Sequence, residues 1–237
     1  VAGVISSKVG VPGIDRAKAL GVPVTTCARS DYTDADAFSR ALFKLIAFMK
    51  PDLLLLAGFL SYVHLPKRYR GRCINIHPSL LPKYGGKGMY GLKVHEAVIK
   101  HHEKESGCTV HFVDEQYDHG PIILQKKVPV LPEDTPLTLA ERVLAAEREA
   151  YPEAVNLYAQ HRLLQQGSVV KILPQAPTSG PSRIPLRNRP PATMTPSAEP
   201  LPMTGRPSGV AGRKPIQVSA IEAFRVRGAI EAAMPMM

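Results

Sequence analysis

The chain has 237 residues, a formal net charge of +10 and a hydrophobic fraction of 44%, which is enough apolar content for a core. Residues 173–237 hold 12 of the 23 prolines and, with eight Lys/Arg against three acids, half of the net charge. The remainder of the chain is therefore only mildly basic. The basic segment lacks interleaved aromatic residues, which argues against a specific nucleic-acid-binding domain.

The cysteine content and the hydropathy pattern bear on the compartment. The three cysteines, Cys27, Cys73 and Cys108, are far apart and show no Cys-x-x-Cys spacing, as is typical of a reducing compartment. No apolar run approaches the roughly 20 residues of a membrane span, and the N-terminus lacks the order of a signal peptide. The histidines offer no convergent ligand set for a metal. We expect a cytoplasmic protein with neither a membrane segment nor a metal centre.

Apolar runs with strand and helix periods alternate along residues 1–172. Strands are predicted at residues 1–5, 22–27, 53–57, 73–76, 108–113 and 121–130. Helices are predicted at 14–20, 33–50, 91–102 and 138–164, with Pro152 expected to kink or break the last of them. This alternation predicts an α/β fold, a mostly parallel twisted sheet with helices on both faces, of the Rossmann-like kind.

The periodic pattern stops at about residue 172. The proline-rich strings that follow cannot propagate a helix or a strand ladder. We therefore expect one domain at residues 1–172 and a disordered, Pro/Arg-rich tail at 173–237, with a short helix at 220–233. Removal of that tail is expected to leave folding unchanged.

Three side chains at predicted strand ends have the chemistry of acyl transfer. Asn75 and His77 close one predicted strand, and Asp118 lies in a turn just past another. Since ligands bind at the carboxyl ends of strands in such sheets, the three can converge. An amide and a protonated imidazole can polarise a carbonyl and hold an oxyanion, while a carboxylate orients the imidazole. Taken singly, residues of these types at strand ends and in turns are more often structural than catalytic, and their joint occurrence is what favours catalysis. His111 fits either a supporting or a purely structural role.

Four strings carry a resemblance to a known family. They are Lys50-Pro51-Asp52-Leu53-Leu54-Leu55-Leu56-Ala57-Gly58-Phe59, Asn75-Ile76-His77-Pro78-Ser79-Leu80-Leu81-Pro82, Gly107-Cys108-Thr109-Val110-His111-Phe112-Val113 and Asp118-His119-Gly120-Pro121-Ile122-Ile123-Leu124-Gln125. With them, residues 1 to about 173 resemble the phosphoribosylglycinamide formyltransferases, folate-dependent enzymes of purine (IMP) synthesis.

The resemblance implies a role for each of these residues. His77 would be the proton donor, Asn75 would hold the formyl oxygen and Asp118 would tune His77, with His111 behind them. The formyl donor would be 10-formyltetrahydrofolate and the acceptor the amine of glycinamide ribonucleotide. The folate-binding residues would be Leu60, Ser61, Tyr62, Val63, Asn75, Asp114, Tyr117 and Asp118.

The chain departs from the family at its start. Family members begin with one more strand, followed by a glycine-rich loop and helix that grip the substrate phosphate, whereas this sequence starts at what resembles the second strand. We therefore expect an N-terminally truncated formyltransferase whose sheet leaves a strand unpaired. The alternatives are an inactive fragment or folate-binding remnant, or a related folate-dependent formyltransferase or hydrolase. The sequence leaves the oligomeric state open.

Overall fold

The computed structural model describes residues 1–175 and 220–224 of the chain. The strands are β1 (Gly3–Ser6), β2 (Val24–Thr26), β3 (Leu53–Ala57), β4 (Cys73–His77), β5 (Glu105–Phe112), β6 (Ile122–Pro129), β7 (Leu163–Gln166), β8 (Val169–Ile172) and β9 (Ala220–Phe224). The helices are α1 (Pro12–Ala19), α2 (Ala35–Met49), α3 (Leu92–Lys100) and α4 (Pro136–Ala159). Seven strands form one sheet in the order β2-β1-β9-β3-β4-β5-β6, while β7 and β8 pair with each other.

Helices cover both faces of the sheet, as the sequence predicted. Alternate residues of β3 point to opposite faces, so Leu54 and Leu56 join the core under α2 while Leu53 and Leu55 join the core under α4. The α2 side of the core is closed by Phe38, Leu42 and Ile46, and the α4 side by Leu139, Val143, Ala150, Tyr151 and Ala154. The α/β class is therefore confirmed.

The sheet contains fewer parallel pairs than the sequence predicted. Only β1 with β2 and β3 with β4 pair in parallel among the described strands, while β5, β6 and β9 run antiparallel to their neighbours. The loop from β5 to β6 is short, and a short loop can join only antiparallel strands. The sheet is mixed.

The ends of α2 and α4 differ in part from the predicted ends. The Asp34 carboxylate, rather than Thr33, caps α2 by accepting a hydrogen bond from the Ala37 N–H at 2.7 Å. Pro152 lies inside α4 without ending it, next to the fully buried Tyr151. The predicted helix to residue 164 stops at Ala159, because Leu163–Gln166 forms β7 instead.

An interior position of the sheet, third among its seven described strands, is taken by β9, from the segment that was expected to be disordered. It pairs antiparallel with β1 on one side and with β3 on the other, and Ile221, 1% exposed, lies opposite Ile5 and Leu56. Both flanking strands are thereby paired. For residues 220–224, the predictions of a tail outside the fold, of a helix and of an unpaired strand edge are all wrong. Local periodicity carries no signal for such a distant pairing. The rest of the predicted helix, residues 225–233, lies outside the described residues.

A half-buried acid on α4 makes stability depend on pH. Burial raises the pKa of Glu147 to about 7. The negative charge of its carboxylate adds to the rise in the pKa of the nearby Cys108 thiol, which burial also raises. The folded state holds this proton more tightly than the unfolded state, so stability falls as pH rises from the ordinary Glu pKa through about 7. Glu147→Gln should therefore leave the free energy of unfolding nearly unchanged at pH 4 and raise it by about 1–3 kcal/mol at pH 8. Urea unfolding at both pH values measures this, and an equal gain at both would contradict it.

Across the two described ranges, we found no helix with the length and apolar character needed to cross a bilayer.

Candidate active site

Strand pairing brings the predicted site residues to one edge of the sheet. Asn75 is the middle residue of β4 and His77 the last, and antiparallel β5 places His111 directly opposite Asn75. Asp118 lies in the turn between β5 and β6 with a backbone φ of 51°, a left-handed conformation that Asp tolerates better than most residues. The side chains of Asn75, His77, His111 and Asp118 meet at this point.

The carboxylate of Asp118 is the centre of the cluster. Its Oδ2 lies 3.3 Å from His77 Nδ1 and accepts a hydrogen bond from the Gly86 N–H at 3.0 Å. Its Oδ1 accepts from Asn75 Nδ2 at 3.3 Å and lies 3.7 Å from His111 Nε2. Burial alone would raise the pKa of Asp118, but the nearby His111 ring, the charge of His77 and the hydrogen bond from the Gly86 N–H together lower it. The group is therefore a carboxylate at neutral pH.

The His77 imidazole is buried between two hydrogen-bond acceptors. Its Nδ1 faces Asp118, and its Nε2 lies 2.8 Å from the Tyr84 carbonyl oxygen. Burial lowers the pKa of His77, while the Asp118 carboxylate and the Tyr84 carbonyl oppose that shift. Because both ring nitrogens face acceptors, the doubly protonated ring would donate a hydrogen bond from each nitrogen. This environment fits a group that gains a proton and passes it on.

The sequence left open whether His111 supports the site or has a purely structural role. The structure shows that its ring contacts the cluster. Its Nε2 lies 3.1 Å from Asn75 Nδ2, and its Nδ1 lies 2.9 Å from the Phe112 carbonyl. A ring held at both nitrogens fixes the orientation of the Asn75 amide.

Two polar side chains that sequence reasoning missed shape the turn after His77. Thr109 Oγ donates to the Ser79 carbonyl at 2.6 Å and accepts from the Leu81 N–H at 3.0 Å. Gln125 Nε2 donates to the same Thr109 oxygen and to the Leu81 carbonyl. They hold the Pro-Ser-Leu-Leu turn against β5 and β6. The one feature of the sequence that could have indicated them is a polar residue at a position of the strand that faces inward.

Sequence reasoning also missed His95 on α3. It is 4% exposed, and its Nδ1 has no hydrogen-bond partner within the part of the chain that the structure describes. Burial, and then the charge of His77, lower its pKa to about 4, so a neutral imidazole lies near His77. It stands among Val94 and Val98 in a helical apolar pattern, where a single histidine gives no functional signal.

The two segments predicted to bind folate lie side by side. Tyr62 Oη donates to the Glu115 carbonyl at 3.1 Å, and the Tyr62 and Tyr117 rings lie 5.5 Å apart. Asp114 is engaged within its own loop, where it accepts from the Gln116 N–H and pairs with His119. The remaining predicted residues, Leu60, Ser61 and Val63, lie on the same segment as Tyr62, and Val63 faces the α2 core.

Comparison with known proteins identifies the family. A family model described as formyl transferase matches residues 1–155. The chain belongs to the formyltransferase family. The site described above lies entirely within the matched residues.

Several curated relatives are more than a third identical to this formyltransferase over the aligned residues. The phosphoribosylglycinamide formyltransferase of Escherichia coli (strain K12) is 37% identical over 165 residues, 69% of this chain and 76% of that protein. The chloroplastic phosphoribosylglycinamide formyltransferase of Arabidopsis thaliana is 39% identical over 162 residues. A trifunctional purine biosynthetic protein adenosine-3 of Drosophila melanogaster is 43% identical over 156 residues. The chain spans 11% of the length of the Drosophila protein and 56% of the Arabidopsis protein.

Solved structures show the same fold. Glycinamide ribonucleotide transformylase 1 from Symbiobacterium toebii has a TM-score of 0.67 at 40% identity, over 72% of this chain and 79% of that one. A formyltetrahydrofolate deformylase from Pseudomonas syringae superposes with a TM-score of 0.66 at 22% identity, over 73% of this chain and 56% of that one. At that identity the deformylase is evidence for the fold alone.

Proposed function

We propose that this formyltransferase transfers the formyl group of 10-formyltetrahydrofolate to the amine of glycinamide ribonucleotide, a step of de novo purine synthesis. The observation that carries the proposal is the convergence of Asn75, His77 and Asp118 at one edge of the sheet. We assign the activity to residues 1–172 together with β9. The three cysteines are buried and unpaired, in keeping with the reducing cytoplasm that we propose as its compartment.

The proposed reaction needs an oxyanion partner and a proton carrier. The substrate amine attacks the formyl carbon, a C–N bond forms, and the carbonyl oxygen becomes an oxyanion that the Asn75 amide and the His77 ring N–H stabilise. The bond from the formyl carbon to N10 of the folate then breaks, and the proton lost by the amine reaches N10 through His77. Asp118 holds the ring and offsets its charge while it carries that proton.

To bind, the substrates must displace hydrogen bonds that the site residues make with one another. His77 Nε2 is bound to the Tyr84 carbonyl, and Asn75 Nδ2 is shared between Asp118 and His111. Tyr84 has a φ of 57°, and the loop continues into Gly86 and Gly88, both at positive φ. This backbone can rearrange at low cost where glycine allows it, so we propose that the loop releases His77 Nε2 toward the acceptor amine.

Formyl transfer is measured as the initial rate of tetrahydrofolate formation with and without glycinamide ribonucleotide. We expect a rate that depends on the ribonucleotide, with the formyl group recovered in the product. Formate release that is independent of the ribonucleotide would instead indicate a hydrolase. Folate binding without turnover of either kind would indicate a folate-binding remnant and overturn the proposal.

Gly120 sets the position of Asp118, two residues away. A Cβ built at Gly120 would lie 1.9 Å from the Phe112 carbonyl oxygen, so any larger residue must displace the turn. Gly120→Ala should therefore lower the transfer rate by about ten- to a hundredfold, since small misplacements of catalytic groups cost that much. The matched control is Gly167→Asn, at a position with open space and a φ of 62° that Asn tolerates, which should keep the full rate. An unimpaired Gly120→Ala enzyme would show that Asp118 placement is not critical.

A further inference from the structure

The loop residue that covers His77 is held at two points, by its backbone and by its side chain. The Tyr84 carbonyl oxygen lies 2.8 Å from His77 Nε2, while the Tyr84 side chain reaches the segment between α3 and β5. There its Oη donates a hydrogen bond to Glu103 Oε1 at 2.9 Å, and its ring lies 5.7 Å from the His101 ring. Lys83 Nζ donates to the same Glu103 oxygen at 2.8 Å. We call the contact between Tyr84 Oη and Glu103 the Tyr84–Glu103 anchor.

The backbone of Tyr84 has a conformation that few bulky residues adopt. Its φ of 57° lies in the left-handed region, which is strained for a residue with a large side chain. Such a conformation persists only where the surrounding contacts fix it, and the Tyr84–Glu103 anchor is one of those contacts. Gly86 and Gly88 follow at positive φ and let the backbone move. Without the anchor, the Tyr84 carbonyl should therefore leave His77 Nε2 more easily.

The contact with the Tyr84 carbonyl keeps His77 from acting as a base at Nε2. A carbonyl oxygen only accepts hydrogen bonds, so the ring nitrogen that donates to it carries a proton and has no free lone pair. The Asp118 carboxylate faces the other ring nitrogen. While this contact lasts, a water molecule beside the formyl group cannot pass a proton to Nε2 of His77.

Hydrolysis of the formyl donor would need that proton transfer. Water would attack the formyl carbon, a C–O bond would form, and the bond from the formyl carbon to N10 would break. The proton lost by the water would reach N10 through His77, and formate would be released. A closed contact between Tyr84 and His77 therefore protects the donor until the acceptor amine is present.

We infer that Tyr84 and Glu103 determine the specificity of this enzyme for the acceptor amine over water. The Tyr84–Glu103 anchor keeps the Tyr84 carbonyl on His77 Nε2 until the ribonucleotide, which is far larger than water, displaces the loop. Glu103 is a positioning residue, because it acts on His77 only through Tyr84. The inference rests on the proposed formyl transfer and on the proposed release of the loop, and it names the side chains that hold the loop closed.

The test measures formate release without the ribonucleotide and formyl transfer with it, using 10-formyltetrahydrofolate and the full chain. Tyr84→Phe, which keeps the ring against His101, and Glu103→Ala should each raise formate release about three- to tenfold, since one partly exposed hydrogen bond is lost. Each should lower the KM for the ribonucleotide by a similar factor and leave kcat unchanged, because less of the enzyme is held closed. Glu103→Gln keeps an acceptor for the Tyr84 hydroxyl and should behave like the unmodified chain.

A histidine NMR titration tests the anchor without turnover. Burial lowers the pKa of His77, the Asp118 carboxylate and the Tyr84 carbonyl oppose that shift, and the charge of His111 adds to it. The neutral His95 imidazole also lies near the ring. A Tyr84 carbonyl that leaves Nε2 more often should therefore lower the His77 pKa in both anchor variants.

The matched control is Glu105→Ala, which removes an exposed carboxylate two residues from Glu103 that pairs with Lys127 at 2.9 Å. It should leave formate release, KM and the His77 pKa unchanged. The same effects in this control, unchanged formate release in Tyr84→Phe, or an effect of Glu103→Ala alone would each overturn the inference. Raised formate release in both anchor variants of a chain that transfers no formyl group would leave the anchor assigned and overturn the proposed acceptor. No turnover of the donor by the unmodified chain or any variant would overturn both.

Discussion

Asp118→Asn should lower the rate of formyl transfer by at least about a hundredfold, with little change in stability. The substitution keeps the size of the side chain but removes the charge that His77 Nδ1 and His111 Nε2 face at 3.3 and 3.7 Å. An amide can also turn its NH₂ toward His77 and fix the ring in the wrong tautomer. His77→Ala should cost at least as much, because it removes the proposed proton carrier.

The pH dependence separates Asp118→Asn from a general loss of structure. The Asp118 carboxylate raises the pKa of His77 against the larger effect of burial, so its removal should move the His77 pKa further down. Histidine NMR signals followed against pH measure that shift directly. The matched control, Asp15→Asn, makes the same chemical change at an exposed position on α1 and should keep the full rate. Near-normal turnover in Asp118→Asn or His77→Ala would remove that residue from the mechanism.

Ile221→Asp should destabilise the whole sheet, by at least about 3 kcal/mol, because it buries a carboxylate in an apolar core and removes a large aliphatic side chain. Ile221 is 1% exposed and lies opposite Ile5 and Leu56, in the strand that bridges β1 and β3. Removal of residues 174–237 should have a still larger effect, since it leaves two central strands without a partner on one edge.

Ile172→Asp provides the matched control for this prediction. Ile172 lies in β8 and is 45% exposed, so the same substitution there should change the unfolding temperature little. Thermal unfolding followed by circular dichroism compares the two. If Ile221→Asp and the deletion melted like the unmodified chain, β9 would contribute nothing to the sheet, and the tail would be dispensable as its composition indicates.

The helices on both faces, the strands that lead to the site and the family could all be predicted from the sequence. These features are encoded locally: helix and strand periods place Leu42 and Leu54 in a core, and the strings around His77 and Asp118 are specific enough to identify the family. The position of His77 at the end of β4 followed from Pro78, which cannot continue the ladder.

Which distant segments become neighbours could not be predicted from the sequence and is seen only in the folded structure. β9 enters the sheet through backbone hydrogen bonds with β1 and β3. Such bonds need no particular side chain. The five residues of β9, whose pattern predicted a helix, therefore gave no indication of this pairing. The nearness of His95 to His77, and of Glu103 to Tyr84, likewise depends on how separate elements pack. Periodicity reports which face of an element is buried, but the charge and hydrogen bonding of a site depend on segments that meet only in the fold.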